Sequence, residues 1–182
     1  MFTLDTERLI LRELSTEDAE FILRLLNEPS FIRFIGDKGV RNLEDARQYI
    51  LTGPTASYQQ HGFGLYLVLL KPNDEPIGMC GLLKRETLPD VDIGFAFVPE
   101  SWHHGYAFES ASAVFNYGKD VLKLPRIVAI TNKDNDASAR LLEKLGLRYE
   151  RLVDPDWLQG DWIKGRGIDN GVRVAEISCK IC

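Results

Sequence analysis

Apolar and polar positions alternate over residues 8–14, Arg-Leu-Ile-Leu-Arg-Glu-Leu, which predicts a strand, and Ser15-Thr16-Glu17-Asp18 follows as a capping-type helix start. Phe21, Ile22, Leu25 and Leu26 give that helix an apolar stripe, and Pro29 marks its end. Residues 36–39 read as a turn. Asn42-Leu43-Glu44-Asp45 then caps a second helix carrying Ala46, Tyr49 and Ile50, which breaks near Gly53-Pro54 and resumes as far as Gln60. Residues 63–70 are apolar at both alternating sets of positions, as a strand covered on both faces requires. Turns at 71–74 and 88–90 set off further strands over 77–84 and 91–98, and three strands in succession predict an antiparallel meander.

From Gly105 the period switches. Ala107, Ala111, Val114, Phe115, Gly118, Val121 and Leu122 recur at helical spacing until Pro125. A strand over 126–131, a helix marked by Ala137, Leu141, Leu142 and Leu145 that ends at Gly146, and strands over 147–153 and 172–181 complete the chain. Only the crossover around 105–131 demands parallel pairing. The order predicts a single domain over residues 1–182, of mixed α/β (α+β) class with a mostly antiparallel central sheet flanked by helices, and not a doubly wound sheet.

Composition narrows the partners. Lys+Arg 22 against Asp+Glu 27 gives a net charge of -5, so no basic surplus attracts nucleic acid or an anionic membrane, and an amine substrate is favoured instead. Cys80, Cys179 and Cys182 are an odd set in a chain that needs no staples, which predicts reduced thiols and a cytoplasmic protein. No Cys-x-x-Cys or His-x-x-x-His spacing offers a metal site, and no apolar run reaches the ~18 residues of a membrane span. The start has no leader-like segment.

Residues 91–109 run from strand through turn to helix start. Gly105 and Ala107 are small where the helix begins, so backbone N–H groups can converge there on a phosphate without help from Lys or Arg. The plainer alternative is a tight turn at Gly105 with Ala107 packed beneath it. Neither a phosphate-loop signature nor a dinucleotide glycine triplet is present. Downstream, Asn135 and Ser138 stand one helical turn apart. They face the same side of the last helix, either as a site or as an N-cap and a solvated first-turn residue.

The strand ending in Val98-Pro99, the Gly105-Tyr106-Ala107 helix start and Asn135-x-x-Ser138-x-x-Leu141-Leu142-Glu143-Lys144-Leu145-Gly146-Leu147 together resemble the GCN5-related N-acetyltransferase (GNAT) family. Thr6-Glu7-Arg8-Leu9-Ile10-Leu11-Arg12 is similar to the opening strand of its ribosomal-protein N-terminal (RimJ/RimL-like) branch. The resemblance implies that two strands of the sheet splay apart and hold acetyl-coenzyme A. Phe97 and Val98 would bond its pantetheine, with Asn132 and Asn135 beside it, the alternative for Asn132 being a turn closed on its own backbone. His103, His104, Gly105, Tyr106 and Ala107 would present the diphosphate turn. Two departures stand out: Trp102 where the family often has Gln or Arg, and Arg173 and Ala175 where the branch carries Trp and Asp.

Acetyl transfer needs a neutral amine, a polarised thioester and a stabilised leaving thiolate, and none of the three requires a metal. Ser138 is the candidate acid for the sulfur. Asp92 is the candidate base, acting directly or through water, its alternative being a solvated rim carboxylate; Glu176 and Glu86 are further candidates. The expected acceptor is a primary amine, foremost a protein N-terminus such as that of a ribosomal protein. The alternatives are a small amine (polyamine, aminoglycoside or amino acid) or a non-catalytic acyl-coenzyme A sensor, as a monomer or a homodimer. Residues 154–171, with Trp157, Trp162 and three aspartates (Asp154, Asp156 and Asp161), read as a loop over the acceptor or as a packed surface loop.

Overall fold

The computed structural model of the chain describes residues 2–153 and 172–178. Among these, eight strands form one sheet: β1 (Thr3–Asp5), β2 (Leu9–Glu13), β3 (Leu65–Leu70), β4 (Glu75–Leu83), β5 (Val91–Phe97), β6 (Arg126–Asn132), β7 (Arg148–Val153) and β8 (Val172–Ser178). Their order is β1-β2-β3-β4-β5-β6-β8-β7, and every neighbouring pair is antiparallel except β5 and β6. The expected meander is β3-β4-β5. The loop expected over 154–171 lies outside the described residues.

Helices α1 (Ala19–Leu26), α2 (Pro29–Phe34) and α3 (Leu43–Ile50) contribute to one core, and α5 (Tyr106–Asn116) and α6 (Asp136–Lys144) to the other. The doubly apolar β3 divides the two. Leu65, Leu67 and Leu69 enter the first core, while Tyr66 and Val68 enter the second. An eight-residue helix such as α1 is marginal in water by itself. Its fully buried Ile22, Leu25 and Leu26 hold it, each worth about 1.5–3 kcal/mol of burial.

Three elements depart from the expectation, the first being the short β1, which precedes the strand expected over 8–14. Pro29 follows the end of α1 but is also the first residue of α2, a position where its missing N–H costs nothing. The break at Gly53-Pro54 is a π-helical segment, Leu51–Thr55, that leads directly into α4 (Ala56–His61).

What positions the site is the parallel pair. β5 and β6 are paired at only two positions, Val91↔Ile127 and Asp92↔Val128, although β5 runs on to Phe97 and β6 to Asn132. Each strand stays fully paired on its other side, with β4 and β8. Beyond Asp92 the two strands therefore part inside an otherwise continuous sheet.

Candidate active site

Main-chain phase decides what the gap offers. Val98 N–H donates to the Ile77 carbonyl at 3.0 Å, so Phe97 and Gly78 are a non-hydrogen-bonded pair, and the peptide groups of Ile93, Phe95 and Phe97 face away from β4 into the opening. The Phe97 carbonyl accepts from Trp102 Nε1 at 3.0 Å. Val98 lies apart from the cleft. Its N–H is used by Ile77, and its carbonyl accepts from the Ser101 N–H and hydroxyl at 3.0 and 2.8 Å.

A cleft of about 600 Å³ runs from this opening past Phe97, Trp102 and Gly105 to Asn135 and Ser138. At its far end the chain turns into α5 with two left-handed residues, His103 (φ 64) and Gly105 (φ 83). No side chain caps the helix, so its first-turn N–H groups are presented at the surface of the cleft. Ala107 lines the same wall. The His104 carbonyl is taken by Arg8, and its imidazole stacks on Tyr106 with centroids 5.4 Å apart.

A second, smaller cavity of about 140 Å³ opens where β5 and β6 part, lined by Asp92, Gly94 and Ala96 on one strand and Ile130, Thr131 and Asn132 on the other. It shares Phe31, Phe34, Ile35, Phe95 and Ala96 with the cleft, so the two meet at α2. Asp92 is not a solvated rim carboxylate. It is 1% exposed and receives two hydrogen bonds from Arg85, Nε at 2.9 Å and Nη2 at 3.1 Å. Burial outweighs that partner and raises the Asp92 carboxyl above its ordinary range. Lys38, on the same wall, is drawn down to about 7 by burial and by the positive charge of Arg85.

The asparagines have local duties. Asn132 Oδ1 accepts from the Asp134 N–H at 2.9 Å, closing a turn, while the residue lines the small cavity. Asn135 Oδ1 accepts from the Ser138 N–H at 3.1 Å and is the N-cap of α6. Capping leaves the Ser138 hydroxyl unused by the helix, and Ser138 lines the cleft half-buried. Of the other candidates, Glu86 is exposed. Glu176 lies in the same register row as Asp92, across Val128. Trp157, Trp162 and the aspartates near them fall outside the described residues.

Sequence reasoning missed Arg85, Lys38, Tyr49 and the α2 wall of the small cavity. A signal existed for Arg85: the β4–β5 register pairs Leu83 with Asp92, which brings the start of the following turn beside the carboxylate.

The opened parallel pair thus lies beside the uncapped start of α5. The family model described as acetyltransferase (GNAT) domain matches residues 8–148, and the chain belongs to that family. It is 34% identical over 151 residues to YoaA, an uncharacterised N-acetyltransferase of Bacillus subtilis (strain 168), covering 82% of this chain and 85% of that one. To YnaD of the same organism it is 28% identical over 145 residues, 80% and 82% of the two chains. An acetyltransferase from Agrobacterium tumefaciens str. C58 shares the fold with a TM-score of 0.78 at 24% identity over 97% and 94% of the chains. So does RimL, the ribosomal L7/L12 α-N-protein acetyltransferase solved with coenzyme A, at 0.80, with 17% identity over 97% and 98%. The protein is an acetyl-coenzyme A-dependent acyltransferase. No helix among the described residues is long and apolar enough to cross a membrane.

Proposed function

We propose that this protein transfers acetyl from acetyl-coenzyme A to the α-amine of a protein N-terminus in the cytoplasm. The observation that carries the reading is the junction of the two cavities. A long cleft with outward main-chain groups and an uncapped helix start suits the donor, and it meets a narrow cavity whose floor holds a buried carboxylate. The cofactor contacts are the outward peptide groups of Phe95 and Phe97 and the N–H groups of the 103–107 turn, with Asn135 and Ser138 alongside.

Asp92 takes the proton of the incoming ammonium group, and the neutral amine attacks the thioester carbon. The carbon–sulfur bond breaks as the attacking nitrogen loses its second proton, which replaces the one the Ser138 hydroxyl gives to the departing sulfur, so that a neutral amide and a thiol result. A buried carboxylate with a raised affinity for protons is suited to the first step.

The cavity at the junction also bears on the acceptor. Among the described residues it is lined by the Arg85–Asp92 pair and by Lys38, whose ammonium form is only partly populated near pH 7. A polyamine or aminoglycoside carries several positive charges towards that wall, whereas a peptide N-terminus brings one and gives it up before reacting. The aromatic and aliphatic lining, Phe31, Phe34 and Ile35 among it, accepts the side chain of a first residue.

The test is parallel turnover of short peptides with free N-termini, spermidine, an aminoglycoside and free amino acids under equal conditions, with mass spectrometry of each product. Peptide α-acetylation at the highest kcat/KM is expected. Preferential acetylation of a small amine overturns the acceptor, and absence of transfer to every amine overturns the reading as a whole.

A further inference from the structure

The Thr6-Glu7-Arg8 segment lies outside the chemistry described so far, yet its side chains reach α5. Arg8 Nε and Nη2 each lie 2.7 Å from Glu109 Oε2, its main-chain N–H donates to Glu109 Oε1 at 2.8 Å, and the Thr6 hydroxyl donates to the same oxygen at 2.7 Å. Arg8 Nη1 donates to the His104 carbonyl at 2.9 Å, and the guanidinium carbon stands 4.7 Å from the centre of the Tyr106 ring. One side chain thus touches the residue between the two left-handed positions, the first residue of α5 and an acid in its first turn.

We propose that Arg8 is a positioning residue for the diphosphate of the donor, acting through the 103–106 turn and through Glu109. The proposal rests on the reading that the diphosphate sits at the start of α5. Two physical effects combine. In a trans peptide the carbonyl and the following N–H point in opposite directions, so pinning the His104 carbonyl on Arg8 turns the Gly105 N–H the other way, towards the cleft that Gly105 lines. Left-handed backbone at His103 is intrinsically unfavourable for a residue with a side chain, and the Arg8 bond to its neighbour helps to hold the turn there.

The second effect is electrostatic. Glu109 in the first turn suits the helix dipole but repels an incoming diphosphate. Burial opposes its ionisation, yet hydrogen bonds from Thr6 and Arg8 hold its carboxyl below the usual range, so the charge is present at neutral pH and needs a counter-charge. Arg8 supplies that charge and directs both carboxylate oxygens to the β1–β2 side. Arg8 is not among the residues lining the cleft, and three of its five guanidinium N–H groups are taken by Glu109 and His104, so it acts on the phosphates through these groups.

Calorimetric titration of the full chain with acetyl-coenzyme A and with S-acetylpantetheine, which keeps the thioester arm and lacks the diphosphate, separates this role from a general structural one. Wild-type protein favours acetyl-coenzyme A. Arg8→Ala weakens acetyl-coenzyme A about tenfold and leaves S-acetylpantetheine within about twofold. Glu109→Gln in the Arg8→Ala background regains about threefold by removing the stranded charge. Arg8→Lys, which keeps the charge but not the fork, falls between at an unchanged Tm and serves equally if the alanine variant does not fold. Equal weakening of both ligands, or a wild-type preference that survives in the variants, overturns the role of Arg8 alone. A wild type that binds both ligands equally overturns it together with the placement of the diphosphate.

Discussion

Asp92→Asn keeps the shape of the small cavity and removes the only carboxylate that lines it among the described residues. The size of the effect follows from the acceptor. A peptide α-amine has a pKa of about 8, so about one in ten is neutral at pH 7, and a base that recovers the remainder is worth about tenfold. For a lysine amine at about 10.4 the neutral share is about one in 2500, and the loss grows towards 10²–10⁴. The variant is therefore expected to lose about tenfold in kcat/KM at pH 7 with a peptide, and to regain it by about pH 9, where solvent has already deprotonated the amine. Release of coenzyme A thiol, followed from pH 6 to 9 with wild type and variant, measures both curves.

Stability responds separately. Asn retains an acceptor oxygen for Arg85, whose side chain is 20% exposed, so the loss is about 1–3 kcal/mol, less than for a wholly stranded charge. The sign of its pH dependence is fixed by the raised native pKa. The folded state holds the Asp92 proton more tightly than the unfolded state, so the wild type's excess stability over the variant is largest in acid and shrinks as pH rises from about 3.8 through the native value. A pH–rate profile of Asp92→Asn that coincides in shape with the wild type's would show that this carboxylate does not take the proton.

Ser138→Ala is expected to lower kcat about ten- to hundredfold at an unchanged KM for acetyl-coenzyme A and an unchanged Tm, because its amide keeps the Asn135 cap; steady-state kinetics and thermal denaturation decide. Asn135→Ala removes that cap and costs about 1 kcal/mol, read as a shifted denaturation midpoint, while Asn135→Asp retains the stability. Lys38 has a native pKa of about 7 against 10.5, so the unfolded state binds more protons between those values and stability rises with pH across the window; Lys38→Met flattens that slope in urea titrations at pH 7 and 10. Gly81→Ala places a Cβ 2.0 Å from the Gly64 carbonyl oxygen and 2.6 Å from Leu65 Cα, backbone that has no rotamer to yield, and lowers the chemical-denaturation stability by about 3 kcal/mol or more.

The strands from β2 onward and the starts of α1, α3, α5 and α6 were legible because each rests on a local pattern. Residues 63–70 show both apolar faces of β3, and Gly105 followed by the apolar stripe of α5 marks the turn into that helix. The opening of β5 from β6 was expected from the family resemblance alone, since a pairing that stops after Asp92 leaves no mark of its own on strands that remain well formed on their other edges. Asp92 was placed on the correct strand, but its burial depends on Arg85 seven residues away across the turn, and composition treats such a carboxylate as solvated. Pro29 carried two meanings, the end of α1 and the start of α2, and only the first was read; the aromatic wall of the small cavity went with the second. Arg8 and Glu109 are 101 residues apart, beyond the reach of any periodicity.

The parting of β5 from β6 bears on how this protein diverges. On the proposed placement the donor is gripped by peptide groups, which mutation leaves in position, while the amine meets side chains such as Lys38, Arg85 and the Cβ-free surface of Gly94, which mutation replaces at will. Acceptor preference can therefore drift, or be retargeted by selection at those few positions, without rebuilding the hold on the acyl donor. Relatives at about a third identity are then free to differ in acceptor while keeping the same acyl donor.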